Sequence, residues 1–297
     1  MTTEQISRAP GSGINDDLIA VFENEALTDL LVLDGATSVA DNDYVDSHQG
    51  DVAWFVQAFA AALEPLIAAG LAQGECVHRA VDAVRTDYRA RAGDVAVPRF
   101  AHPLAALTWI RIRRMHDHLA LSVYCLGDCK AFVIHADGAA LDLDPYVNPH
   151  EAVLREAMAR LGLGGIDDPA LRRARLLPML RARREFQHAA PAPDVLCLAP
   201  QGAFKAREYA LRLPPGAAVL GMTDGFYRLV DSYGLYTIEE LARRCRSAGL
   251  AVLLDELRSF EAHASGTLAV KSADDASAVL WTGDRRHEFE GTTNEVV

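Results

Sequence analysis

Residues 18–23 (LIAVFE) and 29–33 (DLLVL) are two short β-favouring runs parted by the polar turn Asn24-Glu25, with Asp17 before the first and Asp34-Gly35 after the second. Bulky and β-branched residues in short runs bounded by turn formers read as a hairpin. If Leu18 opens one strand and Leu33 closes its antiparallel neighbour, Asp17 faces Asp34 across the ladder, with Cα atoms about 5 Å apart. Beyond the hairpin the apolar period changes. Val52, Phe55, Val56, Phe59, Leu63, Leu66 and Ile67 recur at three and four, and Val77, Ala80, Val81, Val84 and Tyr88 do the same after Gly74. These spacings predict two amphipathic helices, an antiparallel pair covering a sheet.

Further out, strands are expected at 106–113, 119–126 and 130–135, with turns at Met115-His116-Asp117 and Gly127-Asp128. Residues 150–162 and 168–187 read as two helices parted by Gly162-Leu163-Gly164-Gly165, the second strongly basic. Strands follow at 194–199, 207–213 and 217–222, then helices near 225–232, 237–247 and 249–262, and a last strand at 276–282. Runs of strands broken by pairs of helices predict an α+β fold, a four-layer α-β-β-α sandwich of two antiparallel sheets flanked by helices. One domain is expected over 14–284. Residues 1–13, with Pro10, Gly11, Ser12 and Gly13, read as a flexible leader, and 285–297 as a polar tail.

With 50% hydrophobic and 24% charged residues in 297, the chain has enough apolar content for a large core. The formal charge of −12 disfavours a sequence-independent nucleic-acid binder or a polybasic membrane anchor. No run of about 18 uninterrupted apolar residues and no basic-then-apolar start is present, so a cytoplasmic protein, monomeric or weakly associated, is expected. The cysteines (Cys76, Cys125, Cys129, Cys197, Cys245) are odd in number and scattered, which suits reduced thiols; Cys125 and Cys129 alone make a poor zinc signature.

Acidic residues stand at four strand ends: Asn15-Asp16-Asp17, Asp34-Gly35, Asp224-Gly225 and Asp274-Asp275. The strand 217–222 finishes into Asp224 and the strand 276–282 begins after Asp274, so antiparallel pairing brings those two together as well. Like charges at 4 Å repel by roughly 4 kcal/mol at an effective dielectric of 20. No lysine or arginine is interleaved with these acids, so a divalent cation is the simplest counter-charge. All-oxygen ligands favour magnesium or manganese, and Gly35 lets its carbonyl approach an ion while Asp34 bridges two. Val32-Leu33-Asp34-Gly35-Ala36-Thr37 is also similar to the haloacid-dehalogenase pattern, but Val32 stands where that chemistry needs a nucleophilic aspartate.

Taken in order, Asn15-Asp16-Asp17, LLVLDGAT (30–37), LGDCKAFVI (126–134), VLGMTDGFYRLVD (219–231) and SADDASAVLW (272–281) resemble the metal-dependent serine/threonine protein phosphatases of type 2C, over about residues 14–282. The resemblance implies that Asp34 bridges two manganese or magnesium ions, that the Gly35 carbonyl binds one of them, and that Asp224 and Asp274 hold the other. It gives Asp16 as an acidic ligand of the second ion, Asp17 as a carboxylate acting through bound water, and Gly127-Asp128 as a structural turn. The implied reaction is hydrolysis of a phosphomonoester on a phosphorylated protein by a metal-activated water. Two departures stand out: Ala36 replaces a histidine proposed as general acid in many members, and Ser12 replaces a phosphate-binding arginine. Arg8 lies near that position, and Arg183 or Arg184 of the basic helix are candidates for substrate contact. His48, His78 and His102 have no spacing that selects one as an acid. A pseudophosphatase serving as a binding module, and a phosphatase of small metabolites, are the alternative readings.

Overall fold

The computed structural model describes residues 1–162, 168–263 and 273–283. In chain order the elements are β1 (Thr2–Arg8), β2 (Asp17–Glu23), β3 (Leu27–Gly35), α1 (Gly50–Ala68), α2 (Gln73–Ala92), a helical turn at Arg99–Ala101, β4 (Leu104–Arg114), β5 (Leu119–Leu126), β6 (Lys130–Ile134) and β7 (Ala140–Asp142). They continue with α3 (Pro149–Arg160), α4 (Pro169–Ala189), β8 (Leu196–Cys197), β9 (Arg207–Leu213), β10 (Ala218–Met222), α5 (Asp224–Tyr227), α6 (Ile238–Ala248), α7 (Leu250–His263) and β11 (Ala276–Thr282). One sheet runs β1-β11-β10-β6-β7 and the other β2-β3-β4-β5-β9, with β8 beside β4; every pairing is antiparallel.

The apolar run of β3 explains the layering. Leu31 and Leu33 face Phe55, Phe59 and Leu63 of α1 and Val77 and Val81 of α2. Leu30 and Val32, pointing the other way, meet Val219, Val279 and Trp281 of the opposite sheet. A strand covered on both faces reads as continuously hydrophobic. On the far side, Leu241, Leu253 and Leu257 of α6 and α7 pack on Leu220 and Ala278. The result is the four-layer α-β-β-α sandwich. Helix α1 is long and apolar enough to cross a membrane by composition, yet Trp54, Phe55, Phe59 and Leu63 are buried in the core it covers.

Several expectations need correction. Residues 2–8, read as part of a flexible leader, form the edge strand β1, with Thr2 opposite Thr282 and Arg8 opposite Ala276. Its sequence TTEQISR carries a single large apolar residue, Ile6, because an edge strand over α7 needs little more, and its partner lies at the far end of the chain. The strand expected at 194–199 shortens to β8, the helix near 225–232 shortens to α5, and β7 was not anticipated. The polar tail and residues 163–165 of the glycine-rich link lie outside the described residues. All five cysteines are free and buried.

On the helix-facing side of β3 a buried ion pair fastens the α1–α2 connection to the sheet. Asp29, fully buried, stands opposite Arg111 and accepts from its Nε at 2.7 Å and from Trp109 Nε1 at 2.5 Å. Arg111 Nη1 in turn donates to the Leu71 carbonyl at 2.9 Å, and Gln73 Nε2 to that of Trp109 at 2.9 Å. Removing one partner strands a buried charge, so Arg111→Ala is expected to lower the unfolding free energy by about 3–5 kcal/mol in urea titration. An unchanged midpoint would show that the pair does not hold this layer together.

Candidate metal centre

The β2–β3 register sets Asp17 opposite Asp34 at one rim of the sandwich. From the other sheet, β10 runs through Thr223 into Asp224, and β11 is entered through Asp274 and Asp275. The β10–β11 ladder continues past Met222, with Thr223 N donating to the Ser277 carbonyl at 3.0 Å, so the two acidic ends lie side by side. Gly225 is required there, because a Cβ would overlap the Asp275 carbonyl oxygen. Gly35 is required likewise, because a Cβ would overlap the Asp16 carbonyl, to which the Gly35 N–H donates at 3.1 Å.

Two hydrogen bonds tie the sheets together at this rim. Thr223 Oγ1 donates to Asp17 Oδ2 at 2.8 Å, and the Asp16 N–H donates to Asp275 Oδ2 at 2.7 Å. Asn15 extends the tie: its Oδ1 accepts from Asp17 N at 3.1 Å, its Nδ2 donates to Ser7 Oγ at 2.7 Å, and Ser7 Oγ shares a hydrogen bond of 2.7 Å with Ser277 Oγ.

The acids here perturb one another. Burial holds the Asp34 carboxyl well above the usual range, and the charges of Asp224, Asp17 and Asp128 raise it further. Burial also raises Asp17, opposed by hydrogen bonds from Thr223 and Ser277 and reinforced by Asp275 and Asp224. Asp224 is pushed up to about 6 by burial and then by Asp128 and Asp274. The Cys129 thiol is raised by its burial and by the same acids.

Asp17, Asp34 and Asp224 converge, and Gly35 follows at the end of β3. Asp16 joins through its backbone. Asp274 is adjacent, but the expectation that no basic residue is interleaved is corrected: Arg228, four residues beyond Asp224, donates from Nη2 to Asp274 Oδ2 at 3.0 Å. Helix α4 lies over the rim: Arg184 Nη2 donates to the Thr37 carbonyl at 3.1 Å and its charge faces Asp16, while Arg183 stands within reach of the charges on Asp128 and Asp194 and of Tyr146. Arg8 is engaged with Asp255 of α7 at 2.7 Å. His78 packs on Phe204, and His102 lies between Tyr88 and His188.

Sequence reasoning named Asp274-Asp275 as an acidic strand end without giving Asp275 a role, and it missed Asp128 as a charge of the cluster, along with Thr223, Ser277 and Arg228. Asp128 had a signal, an acid beside a glycine at a strand end like the others. Its carboxylate accepts from Asn148 Nδ2 at 2.6 Å, and the preceding carbonyl, of Gly127, accepts from Arg207 Nη2 at 2.5 Å.

Among the described residues no group of three acidic, histidine or cysteine side chains is already arranged to hold an ion. The backbone gathers the carboxylates without closing them on one centre. Their chemistry nevertheless fits a hard divalent cation: the donors are oxygens, and Asp17, Asp34 and Asp224 each resist ionisation through burial and neighbouring acids.

No family profile and no curated protein matches the chain. Solved structures do. The chain is similar to a serine/threonine phosphatase of S. agalactiae, with a TM-score of 0.53 at 11% identity, covering 95% of this chain and 99% of that one. RsbX in complex with magnesium gives 0.51 at 11% identity over 94% of both chains. PppA, described as a key regulatory component of T6SS in Pseudomonas aeruginosa, gives 0.50 at 13% identity over 95% and 99%. The chain therefore has the fold of the type 2C protein phosphatases, two antiparallel sheets flanked by helices.

Carboxyls raised on folding stabilise the native state while they are protonated, and that stability is lost as pH rises from the ordinary carboxylate range through the folded-state value. In EDTA the unfolding free energy is accordingly expected to fall as pH is raised from about 4 through the value near 6 of Asp224. Asp34→Asn, which removes one charge of the cluster, should flatten this fall and raise stability at neutral pH by about 1–3 kcal/mol. Denaturant titrations across this range that show the wild type flat, or the variant weaker throughout, count against the mutual repulsion.

Proposed function

We propose that the chain is a phosphatase that hydrolyses phosphoserine or phosphothreonine esters on proteins with the aid of manganese or magnesium, two ions in all. The observation that carries the reading is the convergence of Asp17, Asp34 and Asp224, from both sheets, at one rim, where Asp224 and Asp17 hold the Asp34 carboxyl up and Asp224 does the same to Asp17. In this reading Asp34, the Gly35 carbonyl, Asp16, Asp224 and Asp274 would hold the ions, with Asp17 acting through bound water. When bound, such ions lower the pKa of water and neutralise charge on a phosphoryl group.

The remaining roles belong to the chain. Thr223 fixes the Asp17 carboxylate by hydrogen bonding, and the Ser277 N–H in turn donates to Thr223 Oγ1, so that Asp17 presents its remaining lone pairs toward the rim. Arg228 holds Asp274 and keeps it from swinging into solvent. Arg183, half-buried beside Asp128, supplies a cation for the phosphate in place of the arginine that Ser12 replaces. Arg184, fastened to Thr37, keeps α4 over the rim and adds a second positive charge. With Ala36 carrying no titratable group, the leaving oxygen takes its proton from solvent. The reading includes a cytoplasmic protein, monomeric or weakly associated, without nucleic-acid or membrane partners, in keeping with its charge of −12.

Manganese-dependent release of p-nitrophenol from its phosphate ester tests the proposal. Asp34→Asn should reduce turnover by about two to three orders of magnitude. Wild-type turnover no greater than that of the variant would falsify the catalytic reading. In calorimetry, Asp224→Asn or Asp274→Asn should weaken manganese binding several-fold or more while circular dichroism stays unchanged; undiminished affinity removes the substituted residue from the ligand set.

A further inference from the structure

Helix α4 carries six arginines and one glutamate in a chain whose net charge is −12. Three of the six fasten it down: Arg184, Arg173 and Arg181 donate to the successive carbonyls of Thr37, Ser38 and Val39 at 3.1, 2.7 and 2.9 Å, and Arg181 also pairs with Asp41. These bonds lock the segment that follows Gly35 under one face of the helix. At 100° per residue, Arg172, Arg175, Met179, Arg183 and Phe186 fall within an arc of about 80° on another face. Arg183 shows where this stripe begins, at the rim beside Asp128 and Tyr146.

The stripe is short of partners. The Nε atoms of Arg172 and Arg183 are buried without a hydrogen-bond acceptor among the described residues, and Arg175 is exposed. Phe186 is 72% exposed at the end of the same stripe. The surrounding negative charge repels a long polyanion, whereas a short acidic segment meets only the stripe.

We infer that this face of α4 is the docking surface for the substrate, a phosphopeptide with acidic residues on one side of the phosphorylated serine or threonine. The inference rests on the phosphatase reading above and names its substrate class. Along the helix Arg175 lies about 12 Å and Arg172 about 16 Å from Arg183. An extended peptide covers about 3.3–3.6 Å per residue, which places the acidic residues about three to five positions from the phosphate held at Arg183. Guanidinium forks suit carboxylates at those positions.

Two phosphopeptides, identical except for glutamates or lysines three to five residues from the phosphoserine, decide the matter with the full chain and manganese. The acidic peptide should have a kcat/KM about tenfold higher, the difference lying in KM and fading at high salt. Arg172→Glu combined with Arg175→Glu should reverse the order. Equal kcat/KM for the two peptides, or a preference unchanged by the double substitution, overturns the docking surface while p-nitrophenyl phosphate turnover keeps the catalytic reading intact. Should no turnover of any ester occur, fluorescence anisotropy with the same labelled peptides takes over. Tighter binding of the acidic peptide, lost in the double variant, then upholds the surface without the chemistry, and equal binding overturns both.

Discussion

Carboxylates from two separate sheets are held at one rim against their own repulsion, and most of the local structure follows from that. Burial and like charge both act against ionising Asp34, Asp17 and Asp224. What keeps them together is not local. The register of β2 and β3 fixes Asp17 and Asp34, and the β10–β11 ladder fixes Asp224 beside Asp274 and Asp275. The apolar layer between the sheets, with Val32, Ile110, Val279 and Trp281, presses the two pairs toward each other. At the rim polar ties cross between the sheets, from Thr223 to Asp17 and from Asp16 to Asp275, each serving an acid that would otherwise lose water without replacement.

Legibility in the sequence followed the range over which each feature is determined. Hairpin register can be read locally because a one-residue slip would turn Leu31 and Leu33 from the helix layer to the opposite face, so Asp17 opposite Asp34 was available from pattern alone. The same is true of Asp224 and Asp274, each at the mouth of an apolar strand. Arg228 was hidden because its partner lies far along the chain and the pairing exists only after β10 and β11 meet. β1 was hidden for the same reason: TTEQISR has little apolar alternation, and its ladder is supplied by the last strand. Asp128 carried a visible sign but was assigned to the turn alone. The turn is real, with Gly127 at φ +80 packed on Ala106, and the same geometry brings the next carboxylate to the cluster.

Around Asp128 the structure adds a second layer of support. Arg207 ion-pairs with buried Asp144 at 2.7 Å, donates to the Gly127 carbonyl and lies 3.9 Å from the centroid of the Tyr146 ring. Lys130 Nζ donates to the Tyr146 carbonyl at 2.7 Å, and two residues later Asn148 reaches Asp128 just before α3 begins. The stretch from β7 to α3 is thereby anchored at one end to a buried ion pair and at the other to an acid of the cluster. An ordered carboxylate loses less conformational freedom when it acquires a new partner than a mobile one does, and this stretch supplies that order.

The acids of the rim are not equivalent, and the difference bears on how ions would distribute among them. Asp17, Asp34 and Asp224 are raised and gain from any cation placed among them. Asp274 already has one, since Arg228 remains charged at any accessible pH and is attracted by both Asp274 and Asp224. A cation that recruits Asp274 must exchange with or share its guanidinium partner, so its net gain there is the difference between two favourable interactions. Uncompensated negative charge is therefore greatest around Asp34, Asp17 and Asp224, while Arg228 already offsets that of Asp274.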